Sequence, residues 1–349
     1  MSERINICIL VGNGFDMAAG LDTSTFRFVK RFAEQHRDDD SPAGRLARQI
    51  GLDGPENWAD FERKLGEYAS SVGGLVGDEK SIGEYVDAKS AIDDDLLAFV
   101  REREDLVDLD KVRDASDVCL ASICGWLGAL TPRDRKRFLR EFNSPYTFDV
   151  SFVTLNYTNV LDMMVEQQGP SQRSVSIDYV SGYRLCKLVH AHGDLANNPI
   201  CGVDNPSQIC SDMLAADEGV LETVVKGSTQ EMLGSLDDEN ALALIDAAEV
   251  IMVYGSSMGE TDARWWRAVI DRLKSATSKR FVVLFGYRFE RSGRSAAKIR
   301  EEITQIKERL FTSAGMENDE EKRELLDKIF VLSSDSIFEM PGALVADIA

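Results

Sequence analysis

The fold class is decided by residues 5–11, whose sequence is INICILV, and by Gly12, Asn13 and Gly14, which follow directly. The run is short, almost entirely apolar and rich in branched side chains. A strand that is buried on both faces has this composition, and such strands belong to parallel sheets covered by helices. We therefore predict that the segment is an inner strand of a largely parallel sheet and that the glycines end it in a turn.

Five further runs of the same character predict the other strands of this sheet. They occupy residues 150–155, 187–190, 250–254, 281–285 and 329–332. Helical patterns separate the later strands, at residues 159–168, 264–276 and 295–313. Because strands that alternate with helices are typical of parallel sheets, the sequence predicts an α/β fold.

A long segment after the first strand does not follow this alternation. Residues 25–36, 58–70, 82–103 and 109–130 have helical patterns, with breaks rich in Gly, Asp and Pro between them. One helix carries an apolar stripe of Trp58, Phe61, Leu65 and Tyr68 at spacings suited to a single face. We therefore predict a core formed by residues 1–24 and 147–349, and a helical insertion at residues 25–146 that packs as a cap or lobe on the sheet. A further helix is expected at residues 214–226.

Composition and charge exclude several classes of function. The chain has 349 residues with 60 acidic and 40 basic side chains, a net charge of −20, which disfavours nucleic acid as the primary ligand. The six cysteines form no C-x-x-C pair and the chain has only three histidines, so no metal site is expected. No apolar run reaches the roughly 18 residues needed to cross a bilayer. The sequence therefore predicts a cytoplasmic protein.

The loop after the first strand is the first candidate binding site. This loop joins the end of the strand to the start of a helix and contains two glycines; its residues are Gly12, Asn13, Gly14, Phe15 and Asp16. Such a loop is typical of a phosphate cradle, because backbone without side chains lets a diphosphate approach the amide donors. The dinucleotide fingerprint is half satisfied, since a methionine occupies its third glycine position. A tight turn before a helix is the alternative. The Asp16 carboxylate would accept from a ribose hydroxyl or cap the helix.

Two more strand ends carry polar side chains that suit chemistry on a nucleotide. Asn156, which follows the strand at 150–155, offers a donor and an acceptor for orienting a hydroxyl or a water, although an Asx turn is an equally local explanation. His190 and His192 follow the strand at 187–190 and would point to the same side if the strand continued. Histidine is the side chain best able to take a proton near neutral pH. One of the pair is expected to have a structural role.

A fourth strand end completes the pattern. Residues 255–262, GSSMGETD, place glycines and small hydroxyls after the strand at 250–254, either as a pocket rim or as an ordinary loop before a helix. Ligands of open α/β sheets bind beyond the carboxyl ends of the strands. We therefore expect Gly12, Asn156, His192 and Gly255 to line one crevice.

These motifs together resemble the AbiH family of bacteriophage abortive-infection proteins. The resemblance runs from residue 5 to about residue 287 and rests on LVGNGFD at 10–16, WADFE at 58–62, LNYT at 155–158, the His192-Gly193 pair and GSSMGETD at 255–262. Membership of this family implies a role in defence against bacteriophages.

The order of the motifs is also similar to that of sirtuin-like NAD⁺ hydrolases of bacterial defence. This resemblance implies a Rossmann-like core that binds NAD⁺ as substrate along the sheet rim, without a metal. It implies catalytic roles for Asn156 and His192. Asp16 stands where those hydrolases have Ser, and Thr158 where they have Asp, which bears on turnover more than on binding. Nucleotide contacts are implied for Gly12, Asn13, Gly14, Phe15, Asp16, Tyr157, Gly193, Gly255, Ser256, Ser257 and Asp262.

The leading hypothesis is therefore a defence protein that hydrolyses the nicotinamide–ribose bond of NAD⁺ when triggered. His192 would be the base and Asn156 the positioning group. The protein would work as a homo-oligomer or with a partner of the same defence system. A catalytically silent nucleotide sensor or regulatory subunit is the alternative. A nuclease effector is disfavoured by the acidic charge and the lack of a carboxylate–metal motif.

Overall fold

The computed structural model describes most of the chain, and seven strands of the described part form one sheet. The strands are β1 (Glu3–Val11), β2 (Tyr146–Thr154), β3 (Arg173–Ile177), β4 (Val180–His190), β5 (Val250–Tyr254), β6 (Phe281–Gly286) and β7 (Ile329–Ser333). Their order is β3-β4-β2-β1-β5-β6-β7. The described residues are 3–52, 61–72, 78–142, 145–169, 171–177, 179–197, 199–275, 279–287 and 289–346.

The sheet is largely parallel, which confirms the predicted α/β fold. β1 lies at its centre, paired in parallel with β2 on one side and with β5 on the other. Only the edge strand β3 is antiparallel, to β4. After β1 the chain continues towards β2 and β4, whereas after β5 it continues towards β6 and β7. The direction of winding thus reverses between β1 and β5, and a crevice opens beyond their carboxyl ends.

Helices cover both faces of the sheet. Alternate residues of β1 belong to two different cores, since Ile7 and Ile9 face one core and Cys8 and Leu10 face the other. The first face is covered by α1 (Gly14–Ala18), α6 (Leu109–Ser122), α7 (Trp126–Ala129), α8 (Pro132–Phe138) and α9 (Val160–Gln168). The second face is covered by α13 (Asp237–Ala247), α14 (Ala263–Lys274), α15 (Ala296–Ser313) and α16 (Asp319–Leu325).

A third core lies apart from the sheet, and we call the helices around it the helical lobe. Its large buried side chains include Phe28, Phe32, Tyr85 and Phe99. The lobe takes helices from the insertion and from the segment after β4. Its members are α2 (Thr25–Gln35), α3 (Pro42–Leu52), α4 (Phe61–Val72), α5 (Asp78–Glu104), α10 (Asp212–Ala215) and α11 (Glu218–Val224), and α12 (Lys226–Leu233) follows it.

The predicted helical insertion is therefore helical but packs in two places. Its first part forms the lobe, whereas residues 109–138 cover one face of the sheet. The helix expected at 109–130 is interrupted by a 3-10 turn at Ile123–Gly125, and α3 is an additional helix. The helix expected at 214–226 is broken into α10 and α11, and Lys226 begins α12. Trp58, from the predicted apolar stripe, lies outside the described residues.

The segment after β7 returns to the start of the chain. The Leu344 amide donates to the Ala19 carbonyl at 2.7 Å, and the Leu344 carbonyl accepts from Asp108 at 2.8 Å. Phe338 packs edge-on against Phe15, with ring centroids 5.1 Å apart. This C-terminal segment therefore connects the C-terminal end of α1 to the start of α6.

Candidate functional site

The four strand-end motifs meet around one cavity of about 620 Å³. Gly12, Asn156, His192 and Gly255 all line this central cavity, which lies at the carboxyl ends of β1, β2, β4 and β5. The position is the crevice that the winding of the sheet predicts. Of the residues singled out from the sequence, the cavity lining also includes Asn13, Gly14, Asp16, Tyr157, Ser256, Ser257 and Asp262.

The glycines of the first and fourth motifs pack against each other. A Cβ atom on Gly14 would lie 2.5 Å from the Gly255 Cα, and Gly255 has a φ of +67°, a conformation that favours glycine. The Gly14 amide donates to the Gly255 carbonyl at 2.7 Å and the Gly12 amide to Tyr254 at 2.9 Å. These amides are therefore occupied within the protein, and the loop is not the open cradle of amide donors that its sequence indicates.

Asp16 is buried beside Asn156 and Thr158 rather than acting as a helix cap. One of its oxygens accepts from the Asn156 amide at 3.1 Å and the other from the Thr158 hydroxyl at 2.8 Å. Burial raises the pKa of Asp16 to about 7, although both hydrogen bonds oppose the rise. The carboxyl group is thus poised to change protonation near neutral pH. The two positions that depart from the hydrolase pattern, Asp16 and Thr158, are direct partners.

Asn156 is held by several contacts to the first motif. Its side-chain amide donates to Asp16 and, at 3.3 Å, to the Gly12 carbonyl. An amide group has two N–H donors, and both are therefore used within the protein. The side-chain carbonyl of Asn156 is left as the group able to accept from a ligand hydroxyl or a water.

His192 is buried at the cavity and paired with a carboxylate. Its Nε2 lies 3.2 Å from Asp262 Oδ1 and 3.5 Å from the indole nitrogen of Trp265. Burial would raise the pKa of the Asp262 carboxyl, but the charge of Lys226 and the contact with His192 outweigh burial and hold this pKa below its usual range. An ionised Asp262 accepts a hydrogen bond from Nε2–H. Nδ1, which has no hydrogen-bond partner among the described residues, is then the basic nitrogen.

His190 faces a different cavity, so the two histidines do not point to the same side. β4 ends at His190 and does not continue to His192, which removes the alternation on which that expectation depended. His190 lines a second cavity, where its Nε2 contacts Asp162 at 2.8 Å and its Nδ1 contacts the Asn156 backbone carbonyl at 3.0 Å. Both partners are acceptors, so only a doubly protonated imidazolium makes both bonds. This arrangement is that of a structural histidine.

Two predicted ligand contacts lie outside the central cavity. Phe15 is fully buried in the core of the first sheet face, where it packs against Phe338. Gly193 lines the second cavity together with His190. Each directly follows a residue that lines the central cavity, but the backbone at each position directs it elsewhere. Tyr157 does line the central cavity, and its hydroxyl donates to the Ile200 carbonyl at 3.1 Å.

The helical lobe supplies a second wall of the central cavity, which the four strand-end motifs do not indicate. Its apolar side chains come from α2, α4 and α5, and the phenyl rings of Phe28 and Phe61 meet edge-on at 5.4 Å. Apolar walls with a few polar groups are typical of small-molecule pockets. Phe61 and Glu62 belong to the WADFE motif, but nothing in that motif or elsewhere in the lobe sequence indicates contact with the cavity, because the closeness of these side chains to the sheet depends on how the lobe docks. The lobe-side lining residues are Phe26, Phe28, Phe61, Glu62, Leu96 and Val100.

A family model describes most of this chain. The model of the bacteriophage abortive infection AbiH family matches residues 8–285, which is well over half of the 349 residues. The chain belongs to the AbiH family. This membership implies a role in abortive infection, by which an infected bacterium limits bacteriophage spread. None of the curated proteins matches the chain.

The AbiH match spans the whole central cavity. Every cavity residue named above lies between residues 8 and 285, whereas β7 and the C-terminal segment lie beyond the match. Within the described part of this AbiH protein, no three His, Cys, Asp or Glu side chains are grouped so that they could hold a metal ion. None of the described helices is long and apolar enough to cross a membrane.

Proposed function

We propose that this AbiH protein binds NAD⁺ in the central cavity and hydrolyses its nicotinamide–ribose bond, so that infection is aborted by NAD⁺ depletion. The observation that carries the proposal is the pairing of His192 with Asp262 in a cavity that also holds Asn156 and Asp16. A paired imidazole supplies a base, and the other two side chains are suited to hydroxyl groups. The cavity volume lies within the range of small-molecule sites.

The proposed reaction balances without any further reactant. A water oxygen forms a bond to C1′ of the ribose as the C1′–N bond breaks, and the bonding electron pair returns to the nicotinamide ring, which leaves as a neutral molecule. The water proton passes to Nδ1 of His192, and Asp262 stabilises the imidazolium that results. The products are nicotinamide, ADP-ribose and a proton.

The remaining sheet-side groups would orient the ribose and the water. The Asn156 side-chain carbonyl accepts from one hydroxyl, since its amide hydrogens are engaged. Asp16 lies within contact of Asn156 and changes protonation near neutral pH, so it accepts a ribose hydroxyl when ionised. The apolar lobe wall would hold an aromatic ring of the ligand through contact with Phe28 and Phe61.

The test is product analysis with NAD⁺ of the protein purified from expressing cells that have been exposed to phage, which supplies the trigger. We expect release of nicotinamide and ADP-ribose in equal amounts, measured by chromatography, and loss of both products in His192→Ala and Asn156→Ala. His36→Ala is the matched control, because His36 directly follows α2 and pairs with Asp95 away from the cavity lining. Equal turnover by His192→Ala and the parent protein would refute the proposal.

A nucleotide sensor without catalysis is the second candidate. It is favoured by the full use of the Asn156 amide hydrogens within the protein, which is typical of a structural asparagine. The sensor predicts saturable NAD⁺ binding by calorimetry and no product under any condition, including exposure of expressing cells to phage.

In cells, we infer that the protein acts in the cytoplasm, as a homo-oligomer or with a partner of the same defence system. It would be dormant until triggered, because unrestrained hydrolysis of NAD⁺ kills the host. Toxicity on overexpression is the observable, and it should depend on His192. High constant turnover by the purified monomer would contradict the gating.

A further inference from the structure

Beside the central cavity, three segments that are distant in sequence bring buried charges together. Lys226 begins α12, Glu62 lies on α4 of the helical lobe, and Asp262 ends the loop after β5. Lys226 Nζ lies 2.8 Å from Glu62 Oε2 and 2.8 Å from Asp262 Oδ1. The same nitrogen donates to the Thr261 carbonyl at 3.1 Å. All three ammonium donors therefore have acceptors, although Lys226 is only 7% exposed.

These buried charges are in contact with His192, the proposed base. Asp262 Oδ1 contacts both Lys226 and Nε2 of His192, so one carboxylate oxygen is shared between them. Glu62 is fixed at its other oxygen by the Gly202 amide at 3.1 Å. The contacts thus run without a break from the lobe to His192, through Glu62, Lys226 and Asp262. We call these four residues the charge chain.

The charges of the chain balance only when His192 is protonated. With neutral His192, two carboxylates and one ammonium leave one uncompensated negative charge in a buried site, where charge separation is costly. An imidazolium at His192 brings the sum to zero. The chain is therefore built to accommodate the protonated base that hydrolysis would form.

We propose that Glu62 and Lys226 are positioning residues that hold Asp262, and through it the His192 ring, so that docking of the helical lobe determines whether His192 can act as a base. This inference rests on the proposed function for its kinetic consequences, but its effect on His192 itself does not. It gives a role to Glu62, the last residue of the WADFE motif, and to Lys226, which no local motif marks.

Other ionisable groups lie near the chain and are part of its surroundings. Lys89 and Asp93 of α5 form a salt bridge next to Cys201, and this cysteine is close enough to Glu62 and Lys226 for their charges to act on it. The Tyr157 ring lies 6.5 Å from the His192 ring. Burial raises the pKa of both Tyr157 and Cys201 well above their usual values, so both stay neutral at physiological pH.

Two substitutions at the far members of the chain should shift the pKa of His192 in opposite directions. Lys226→Met removes the cation that competes for Asp262, so the imidazolium gains its full attraction and the pKa of His192 rises by about one unit or more. Glu62→Gln removes an anion, so that Asp262 becomes the only carboxylate of the charge chain that pairs with Lys226. The stronger pairing leaves less negative charge for the imidazolium, so the pKa of His192 falls by about half a unit. Lys226→Arg keeps the charge and should restore most of the parent value.

The experiment measures the pKa of His192 by NMR titration of the imidazole in the parent protein and in these three variants, each checked for folding by circular dichroism. Opposite shifts in Lys226→Met and Glu62→Gln support the inference, and shifts of the same sign or none overturn it. If Lys226→Met does not fold, a fall in Glu62→Gln beside a near-parental value in Lys226→Arg supports the inference, and any other result overturns it. The control is Lys274→Met, which breaks an exposed ion pair with Glu321 between α14 and α16 and should not shift His192.

Turnover provides a second readout that separates this inference from the proposed function. Lys226→Met should lower NAD⁺ turnover at pH 7 by up to about tenfold and recover it at higher pH, with an unchanged KM, because the base is protonated and not displaced. If the parent protein never cleaves NAD⁺ but the two opposite pKa shifts occur, the charge chain stands and hydrolysis fails. If turnover occurs and the shifts do not, hydrolysis stands and the chain is only a structural contact.

Discussion

The central cavity has two walls that differ in how they are held. On the sheet side, Asp16, Asn156 and His192 are each fixed by hydrogen bonds to neighbouring motifs. On the lobe side, Phe28, Phe61 and the aliphatic side chains of α5 contribute surface and no hydrogen bond to the site. A hydrogen-bonded wall orients atoms, whereas an apolar wall excludes water and holds a ring.

This difference has a consequence for how substitutions should act. A change on the sheet side removes an oriented donor, acceptor or base, so it should alter kcat or a pH dependence. A change at an apolar side chain of the lobe removes contact area that is equal in the ground state and the transition state, so it should alter KM. This distinction between the two walls is wrong if substitutions on both walls change the same kinetic constant.

The largest effect is expected for His192→Ala on the sheet side. Loss of a general base lowers kcat by about 10²–10⁴-fold while NAD⁺ still binds, because the lobe wall and the other motifs remain. The measurement is steady-state kinetics beside calorimetric binding, with His36→Ala as control. A loss of binding equal to the loss of turnover would mean that His192 is a contact residue.

Asp16→Asn should remove a pH dependence of stability. The pKa of Asp16 is raised from 3.8 to about 7, so the folded state keeps a proton that the unfolded state releases. The free energy of unfolding of the parent should therefore decrease from about pH 4 to about pH 7, by up to about 4 kcal/mol. Urea unfolding across this range should show a flatter profile for Asp16→Asn, and an unchanged slope for Asp246→Asn at an exposed carboxylate. An equal slope in parent and Asp16→Asn would contradict the raised pKa.

His190→Ala should lower the free energy of unfolding by about 1–3 kcal/mol, because it leaves a carbonyl and a carboxylate without their donor. Its effect on NAD⁺ turnover should be smaller. Burial lowers the pKa of His190, but the hydrogen bond and charge of Asp162 outweigh it and the net pKa is raised. This stabilisation is complete below the unfolded pKa of 6.5 and is lost as pH rises through the raised folded value. The unfolding free energies of parent and variant, measured at pH 6 and pH 9, should differ less at pH 9. A variant that lost turnover but kept parental stability would make His190 a functional residue.

The smallest effect is expected on the lobe side. Phe61→Ala removes an aromatic surface from the cavity and should raise KM for NAD⁺ about tenfold with little change in kcat, as loss of uniform binding does. Phe99→Leu, in the core of the same lobe, is the control for a general loosening of the lobe. A fall in kcat without a change in KM would show that the lobe wall takes part in orienting the reactants.

Local sequence patterns were sufficient for the sheet and for one wall of the site. Strands such as β1 and β5 are continuous apolar runs because both faces are buried, and their ends carry the motifs that meet at the cavity. The edge strand β3, with the sequence RSVSI, was missed because it has only a short alternating pattern and one neighbouring strand. Similarly, a helical pattern shows which face is apolar but not what covers it, so the division of the insertion between lobe and sheet did not follow from the sequence.

The remaining parts of the site depend on contacts between distant segments. Glu62 and Lys226 are 164 positions apart, and although Glu62 belongs to the WADFE motif, neither local sequence indicates that the two charges pair. Phe15 and Gly193 belong to motifs whose neighbours line the cavity, but the backbone turns them elsewhere. The motifs therefore predict where the site lies, whereas the direction of each side chain is seen only in the structure.

The C-terminal segment also bears on when the site can form during synthesis. Residues 338–346 leave the ribosome after every residue of the central cavity, and they include the partners of Ala19 and Phe15 at the base of α1. A nascent chain folds its earlier segments first, but this one cannot complete the packing around the first glycine loop until translation has passed residue 344. The cavity of a nascent chain that has not yet released residue 344 therefore lacks part of its support.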